Sequence, residues 1–289
     1  MNLNFTKMQA CGNDYIYINC MKDDIKYYNC LNKEINSNEV LSVFLSDRHF
    51  GVGSDGIVLI CNSEKTDARM KMYNADGSEG KMCGNAIRCV AKFLYDNGIV
   101  NDKKMKIETA SGVRALELKI GDSKVSSVKV NMGVAVFDPV KIPVNLSGES
   151  VINRIVNIAN ENYKINCVSV GNPHCVIFYD EIDNLNISDI GKKFENSEIF
   201  PEGINIEFVK IVNENSIKMR VWERGSAETF GCGTGACAAS VCSVLNGYFE
   251  KNKDIKIFLR GGEMSVNYTD KNIYMTGECE KVFDGTIEV

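Results

Sequence analysis

No stretch of this sequence is apolar over the length needed to cross a bilayer. The N-terminus, MNLNFTKMQACGNDYIYIN, has neither the basic start nor the apolar run of a secretory signal. Excess positive charge is missing too. The net charge is -5, so nothing in it favours nucleic acid or an anionic membrane as a partner. No two of the twelve cysteines form a close CxxC pair, the usual mark of a zinc site or a dithiol redox centre. These absences lead to an expectation of reduced thiols in a cytoplasmic protein, with no metal. What is present is ordinary for a globular chain: 44% apolar and 25% charged residues. A length of 289 residues suffices for two domains.

Along the chain, residues 4 to 19 read as strand, Gly-Asn-Asp turn and strand. Residues 38 to 48 have helical spacing, with Val40, Val43 and Phe44 on one face. A glycine-rich turn, Gly51 to Gly56, leads into the apolar run Ile57 to Cys61. A strand, Arg69 to Asn74, is followed by a turn-rich stretch and a helix over Asn85 to Asp96. Further strands follow between Met105 and Asn131. The second half repeats that order: strand, tight turn and strand over Cys167 to Tyr179, strands Ile206 to Val212 and Ser216 to Glu223, a turn-rich stretch, and a helix over Ala236 to Asn246. A single large α+β domain would give the same periodicities.

An internal repeat favours two halves. Cys83 and Cys232 are 149 residues apart (232 minus 83). Each is followed by glycine, Gly84 or Gly233, and each has a glutamate four residues earlier, Glu79 or Glu228. Each opens an apolar helix with another cysteine in its first turns, Cys89 or Cys237. A pseudo-twofold arrangement would let Cys83 and Cys232 face each other. A helix start lowers a thiol pKa through its unpaired N–H groups and dipole. The flanking glycines leave N–H groups uncovered, so two such starts would hold a carboxylate and poise a thiolate and a thiol. That pair suits inversion at a carbon acid, one sulfur removing a proton from one face and the other delivering one to the opposite face. Preorganised N–H donors in a water-excluding site would offset the weak acidity of an amino-acid α-carbon. Buried cysteines are otherwise small core hydrophobes. That is the reading for Cys20, Cys30, Cys61, Cys89, Cys167, Cys175, Cys237, Cys242 and Cys279, with Cys11 nearer a ligand.

The stretch Asn74-Ala75-Asp76-Gly77-Ser78-Glu79, with Met82-Cys83-Gly84-Asn85 and Arg88-Cys89, resembles the first cysteine motif of diaminopimelate epimerases. Glu223-Arg224-Gly225, Glu228-Thr229 and Gly231-Cys232-Gly233-Thr234-Gly235-Ala236 resemble the second. Shorter matches at Gly12 to Asp14, Gly51 to Gly56, Gly171 to His174, Gly203 to Val209 and Thr276 to Gly285 keep the family's order. The resemblance implies interconversion of LL- and meso-diaminopimelate, in lysine and peptidoglycan biosynthesis, without pyridoxal phosphate or metal. It implies an α+β fold of two pseudo-symmetric domains, each a mostly antiparallel curled sheet around a central helix. The domains would span residues 1–131, with a final strand near 277–289 returning to it, and 132–276. Cys83 and Cys232 would be the acid/base pair. Asn13, Asn74, Asn172 and Asn205 would hydrogen-bond the substrate, and Gly84, Asn85, Gly233 and Thr234 would supply donors at the helix starts. Glu223 and Arg224 would meet its amino and carboxyl groups, and His174 would organise the site. Departures are Gln9-Ala10-Cys11 before the Gly-Asn-Asp turn, Gly56 where some members carry a binding glutamine, and the bulkier Asn85-Ala86-Ile87-Arg88.

Competing readings are a proline or hydroxyproline racemase, a thiol redox protein, and an amino-acid-binding protein. Asn172, Asn205 and Arg224 argue for a substrate with a distal carboxylate. The missing CxxC weighs against redox, and two retained cysteines against binding alone. The expected partner is a small molecule, with no nucleic acid or membrane; a homodimer is compatible with this.

Overall fold

The computed structural model describes residues 2–21 and 35–289, so Cys30 lies outside the described residues. Its contacts divide the chain into two compact units: Met1–Val130 with Gly277–Val289, and Asn131–Thr276.

The first unit is built from β1 (Asn2–Ala10), β2 (Asn13–Asn19), α1 (Asn38–Ser46), β3 (Gly56–Cys61), β4 (Ala68–Asn74), β5 (Glu79–Gly80), α2 (Gly84–Asp96), β6 (Lys104–Thr109), β7 (Gly112–Gly121) and β8 (Lys124–Gly133). The C-terminal strand, Glu280–Glu288, pairs antiparallel with β1. β1–β2, β3–β4, β4–β5 and β6–β7 are antiparallel, while β2–β3 and β4–β6 are parallel. β3, GIVLIC, is buried at every position, as expected of a strand covered on both faces.

The second unit is built from β9 (Val151–Ile158), β10 (Glu161–Ser169), β11 (Pro173–Phe178), α3 (Ile187–Glu195), β12 (Asn205–Asn213), β13 (Ser216–Glu223), β14 (Ala227–Glu228), α4 (Gly233–Leu245), β15 (Asp254–Leu259), β16 (Gly262–Tyr268) and β17 (Ile273–Gly277). Its pairings repeat those of the first unit. β10–β11, β12–β13, β13–β14 and β15–β16 are antiparallel, and β11–β12 and β13–β15 parallel. β9 pairs with β10 as the C-terminal strand pairs with β1.

Each unit centres on one thirteen-residue helix. α4 packs against β10, β11, β12, β13 and β16. Its sequence, GTGACAASVCSVL, is small and nearly all buried, as a helix enclosed by strands requires. Its two buried serines donate one turn back, Ser240 to the Ala236 carbonyl and Ser243 to the Ala239 carbonyl. In α2, Ile87, Cys89, Val90, Ala91 and Leu94 are fully buried. Both helices end at asparagine, Asn97 or Asn246, whose side-chain amide donates to the carbonyl four residues earlier at 2.8 Å. The following Gly98 and Gly247 take positive φ, as a helix C-terminus favours.

Two local expectations are corrected. In α1 the core-facing residues are Leu41 and Leu45, whereas Val40 and Val43 are exposed and Phe44 is only partly buried. The i, i+4 leucines carry the buried stripe, and Ser42, on the same side, donates to the carbonyls of Tyr73 and Asn74. α3 and β9 were not foreseen. α3 buries only Ile187, Gly191 and Phe194, a narrow stripe in a polar segment.

Candidate active site

Cys83 and Cys232 occupy the same position in their units. Each is the N-cap of the central helix, in extended backbone: φ -130, ψ 123 for Cys83 and φ -108, ψ 118 for Cys232. Each sulfur accepts the N–H of the third helical residue, from Ala86 at 3.5 Å and from Gly235 at 3.3 Å. A thiol here replaces the hydroxyl or carboxylate that normally caps a helix. The sulfur therefore lies at the positive end of the helix, beside the first N–H groups, those of Gly84 and Asn85 or Gly233 and Thr234.

In the first unit the Cys83 thiol donates to Asn13 Oδ1 at 3.4 Å. Asn13 Nδ2 in turn donates to Asp55 Oδ2 at 2.8 Å, and the Asp14 N–H donates to the same oxygen at 3.1 Å. Asp55 thus fixes which end of the Asn13 amide meets the sulfur. Burial raises the Asp55 carboxyl above its ordinary value, and the Asp14 charge adds to that. Asp14 goes the other way. Burial would raise it, but the hydrogen bonds and charges of Arg48 and Lys7 outweigh burial and lower it. Asn85 is buried and its Oδ1 accepts from Arg88 Nη2 at 3.0 Å. Asn74 donates to Ser78 Oγ at 3.0 Å. Cys11 is buried at positive φ and touched by Arg88 Nη2.

In the second unit the Cys232 sulfur lies 3.3 Å from Thr234 Oγ1. Burial pushes this thiol well above its ordinary pKa, and the charges of Glu223 and Glu207 push the same way. The Thr234 hydroxyl and the Gly235 N–H pull it down, and they lose. The lowering expected at a helix start is therefore present at Cys232 but outweighed by burial and the two carboxylates. Glu223 accepts from the Thr229 hydroxyl, and its carboxyl is raised, chiefly by burial. His174 is fully buried, with Nδ1 2.7 Å from Glu207 Oε1 and Nε2 2.9 Å from Asn172 Oδ1. Asn205 uses both ends of its amide inside the chain: Nδ2 donates to the Pro173 carbonyl at 2.7 Å and Oδ1 accepts the Arg224 N–H at 3.0 Å. The exposed Arg224 donates from Nη1 to the Glu202 carbonyl at 2.9 Å.

The structure thus gathers Cys83, Gly84, Asn85 and Asn13 in one unit. In the other it gathers Cys232, Gly233, Thr234 and Glu223, with His174, Asn172, Asn205 and Arg224 joined by hydrogen bonds. Sequence reasoning passed over Asp55 and Glu207. Both fell inside matched stretches, and Glu207 had a usable signal: a carboxylate in the apolar run Ile206 to Val209, two residues from Asn205 and so on the same strand face. The matched glutamates of the repeat diverge. Glu79 is exposed, whereas Glu228 is held by Arg220 at 2.8 Å and Arg260 at 3.1 Å. No disulfide joins any two of the eleven described cysteines. Among the described residues no group of three or more His, Cys, Asp or Glu side chains is placed to hold a metal ion, and no helix is long and apolar enough to cross a membrane.

Comparison with known proteins adds the family. The diaminopimelate epimerase family model matches residues 5–137 and 166–282. The chain is 45% identical to the diaminopimelate epimerase of Acetivibrio thermocellus, over 99% of each chain. It is 44% identical to that of Methanococcus maripaludis strain S2, over 99% of this chain and all of the other. Among solved structures, a probable proline racemase from Agrobacterium radiobacter superposes with TM-score 0.70 at 15% identity, covering 99% of this chain and 92% of the other. A PhzF-family phenazine biosynthesis protein from Bacillus anthracis superposes with TM-score 0.69 at 14% identity over the whole of both chains. These two share the α+β fold of curled sheets around central helices; at such identity the likeness concerns fold alone. The matching cysteine caps, the repeated topology and the full-length similarity agree: this chain belongs to the diaminopimelate epimerase family.

Proposed function

We propose that this isomerase interconverts LL- and meso-diaminopimelate by two-base proton transfer, with Cys83 and Cys232 as the acid/base groups acting on opposite faces of the α-carbon. The observation that carries the reading is the paired cap: in each unit a cysteine sulfur sits at the start of the central helix and accepts its third N–H. In the direction that starts from protonated Cys232, Cys83 takes the α-proton and Cys232 gives one up; in reverse the roles exchange. Negative charge builds on the substrate carboxylate during this step. The N–H groups of Gly84, Asn85, Gly233 and Thr234 meet that charge without reorganising.

Electrostatics links binding to ionisation. The charges of Glu223 and Glu207 help hold the Cys232 thiol protonated. A substrate ammonium beside Glu223 neutralises one of them, so Cys232 ionises more readily once the site is filled. Arg224 and Asn172 read the distal carboxylate, and Asn13 and Asn74 line the side of Cys83. The reaction uses no redox or electron-sink group in this scheme, and it takes place in the cytoplasm as part of amino-acid biosynthesis.

The test is solvent-deuterium incorporation at the α-carbon of LL-diaminopimelate, run beside L-proline under reducing conditions. Diaminopimelate exchanges and epimerises, and proline does neither. Cys83→Ser and Cys232→Ser each lower kcat by about 10²- to 10⁴-fold, the usual worth of a general acid or base. Inversion of proline without diaminopimelate would overturn the substrate, and full activity in either variant would overturn the mechanism.

A further inference from the structure

Glu207 is fully buried in the apolar strand β12, and one of its oxygens, Oε2, has no hydrogen-bond partner among the described residues. Packing alone does not call for a carboxylate there. Its other oxygen, Oε1, meets His174 Nδ1 at 2.7 Å, and His174 Nε2 meets Asn172 Oδ1 at 2.9 Å. The parallel pairing of β11 with β12 sets His174 opposite Asn205, and Glu207 two residues further along the same strand. The Glu207 carboxylate also rests on the first turn of α4. A Cβ added at Gly235 would lie 2.6 Å from Oε1, and the Gly235 N–H is the one that caps Cys232.

Both ring nitrogens of His174 face oxygen acceptors. A neutral imidazole has one donor and one acceptor. With Asn172 Oδ1 facing the ring, Nε2 carries the hydrogen, and a second hydrogen, borne by Nδ1 or by the carboxyl, fills the Nδ1–Oε1 contact. Glu207 supplies the acceptor that permits it. With Nε2–H directed at Asn172 Oδ1, the amide is locked with its oxygen inward and its NH2 edge free for a ligand. An NH2 edge selects a carboxylate oxygen and rejects an ammonium.

We propose that Glu207 is a positioning residue which, through His174, fixes the Asn172 amide with its NH2 edge toward the substrate and so makes Asn172 a carboxylate reader. The proposal rests on the epimerase reading for its substrate but not for its hydrogen-bond geometry. Glu223 is the other carboxylate near His174, but no hydrogen bond joins the two among the described residues, and its Oε1 accepts from Thr229.

Two measurements test this. The chain has two histidines, and His49 is exposed, so the buried His174 ring is separable in a histidine-labelled ¹H–¹⁵N spectrum. In the unmodified protein its Nε2 carries a slowly exchanging hydrogen. In Glu207→Gln the amide can hold Nδ1–H, Nε2 loses its hydrogen, and Asn172 turns its oxygen outward. KM for diaminopimelate then rises about 10- to 100-fold, the range for partners that orient a liganding histidine, with a smaller change in kcat. Glu207→Gln combined with Asn172→Ala is no worse than Asn172→Ala alone, because both act on the same contact. An unprotonated Nε2 in the native protein, or additive effects in the double variant, would overturn the proposal. If Glu207→Gln fails to fold, the native spectrum still decides. If proline proves to be the substrate, the epimerase reading fails while the imidazole spectrum tests Glu207 independently.

Discussion

At Glu223 burial is the largest influence on the carboxyl, raising it above the ordinary glutamate range against the pull of Thr229. A raised folded pKa means its contribution to stability is fullest below the unfolded value of about 4.3 and is lost as pH rises through the folded value. Glu223→Gln keeps an oxygen for Thr229 and removes that loss. The variant's Tm relative to the native protein therefore climbs from pH 4 to pH 8 while its activity falls; a flat difference across that range would contradict the assignment. Asn205 behaves differently. Both ends of its amide tie backbone to backbone, the Pro173 carbonyl to the Arg224 N–H. Asn205→Ala leaves the buried Pro173 carbonyl and the part-buried Arg224 N–H without this partner and costs about 1–3 kcal/mol, measurable as a lower urea midpoint. The motif named Asn205 as a substrate contact, and nothing in the string revealed that each end of its amide also makes a hydrogen bond within the chain.

At the scale of elements, the first turn of α4 is where opposing effects can be weighed. Gly235 is helical, and alanine there would favour the helix by about 1 kcal/mol in isolation. Its Cβ would meet Glu207 Oε1 at 2.6 Å and Cys232 Cβ at 3.2 Å. Overpacking of this kind costs about 1–3 kcal/mol. Gly235→Ala is therefore expected to lower both stability and kcat, read by thermal unfolding and by epimerase assay; an increase in Tm would show that the cap tolerates a side chain. The helices themselves were legible because their apolar content is dense and glycine precedes them. α3 was not, because its contact to the second unit is three residues wide and glycine supplies one of them. Gly191 sits against the Trp222 ring, where a Cβ would come within 2.4 Å, so a residue that reads as a breaker is a packing surface.

For the molecule as a whole, twelve cysteines raise the question of which react. Among the eleven described, ten are buried and Cys83 alone is partly exposed. Brief treatment of the native protein with iodoacetamide, read by peptide mass spectrometry, labels Cys83 first among these eleven, and inactivation follows its labelling. Cys232 is slow on two counts, since it is 6% exposed and burial raises its thiol pKa. Equal labelling of Cys83 and Cys167 would mean that the enclosed helices open far more readily than their burial implies.

Chemistry that depends on residue type and spacing was present in the one-dimensional string. The repeated cysteine–glycine steps and the apolar segments behind them specify two helices, each with a sulfur at its start, because capping is a local interaction within one turn. The motif order was enough to place the chain in its family. Three things awaited the tertiary structure. One was the strand pairing that gives both units the same alternation of antiparallel and parallel partners. Another was the outcome at Cys232, where burial and two carboxylates from β12 and β13 overcome the helix start. The last was the Glu207–His174–Asn172 line. Each depends on groups far apart in sequence, whose distances, and hence whose electrostatics, exist only after the sheet has closed around its helix.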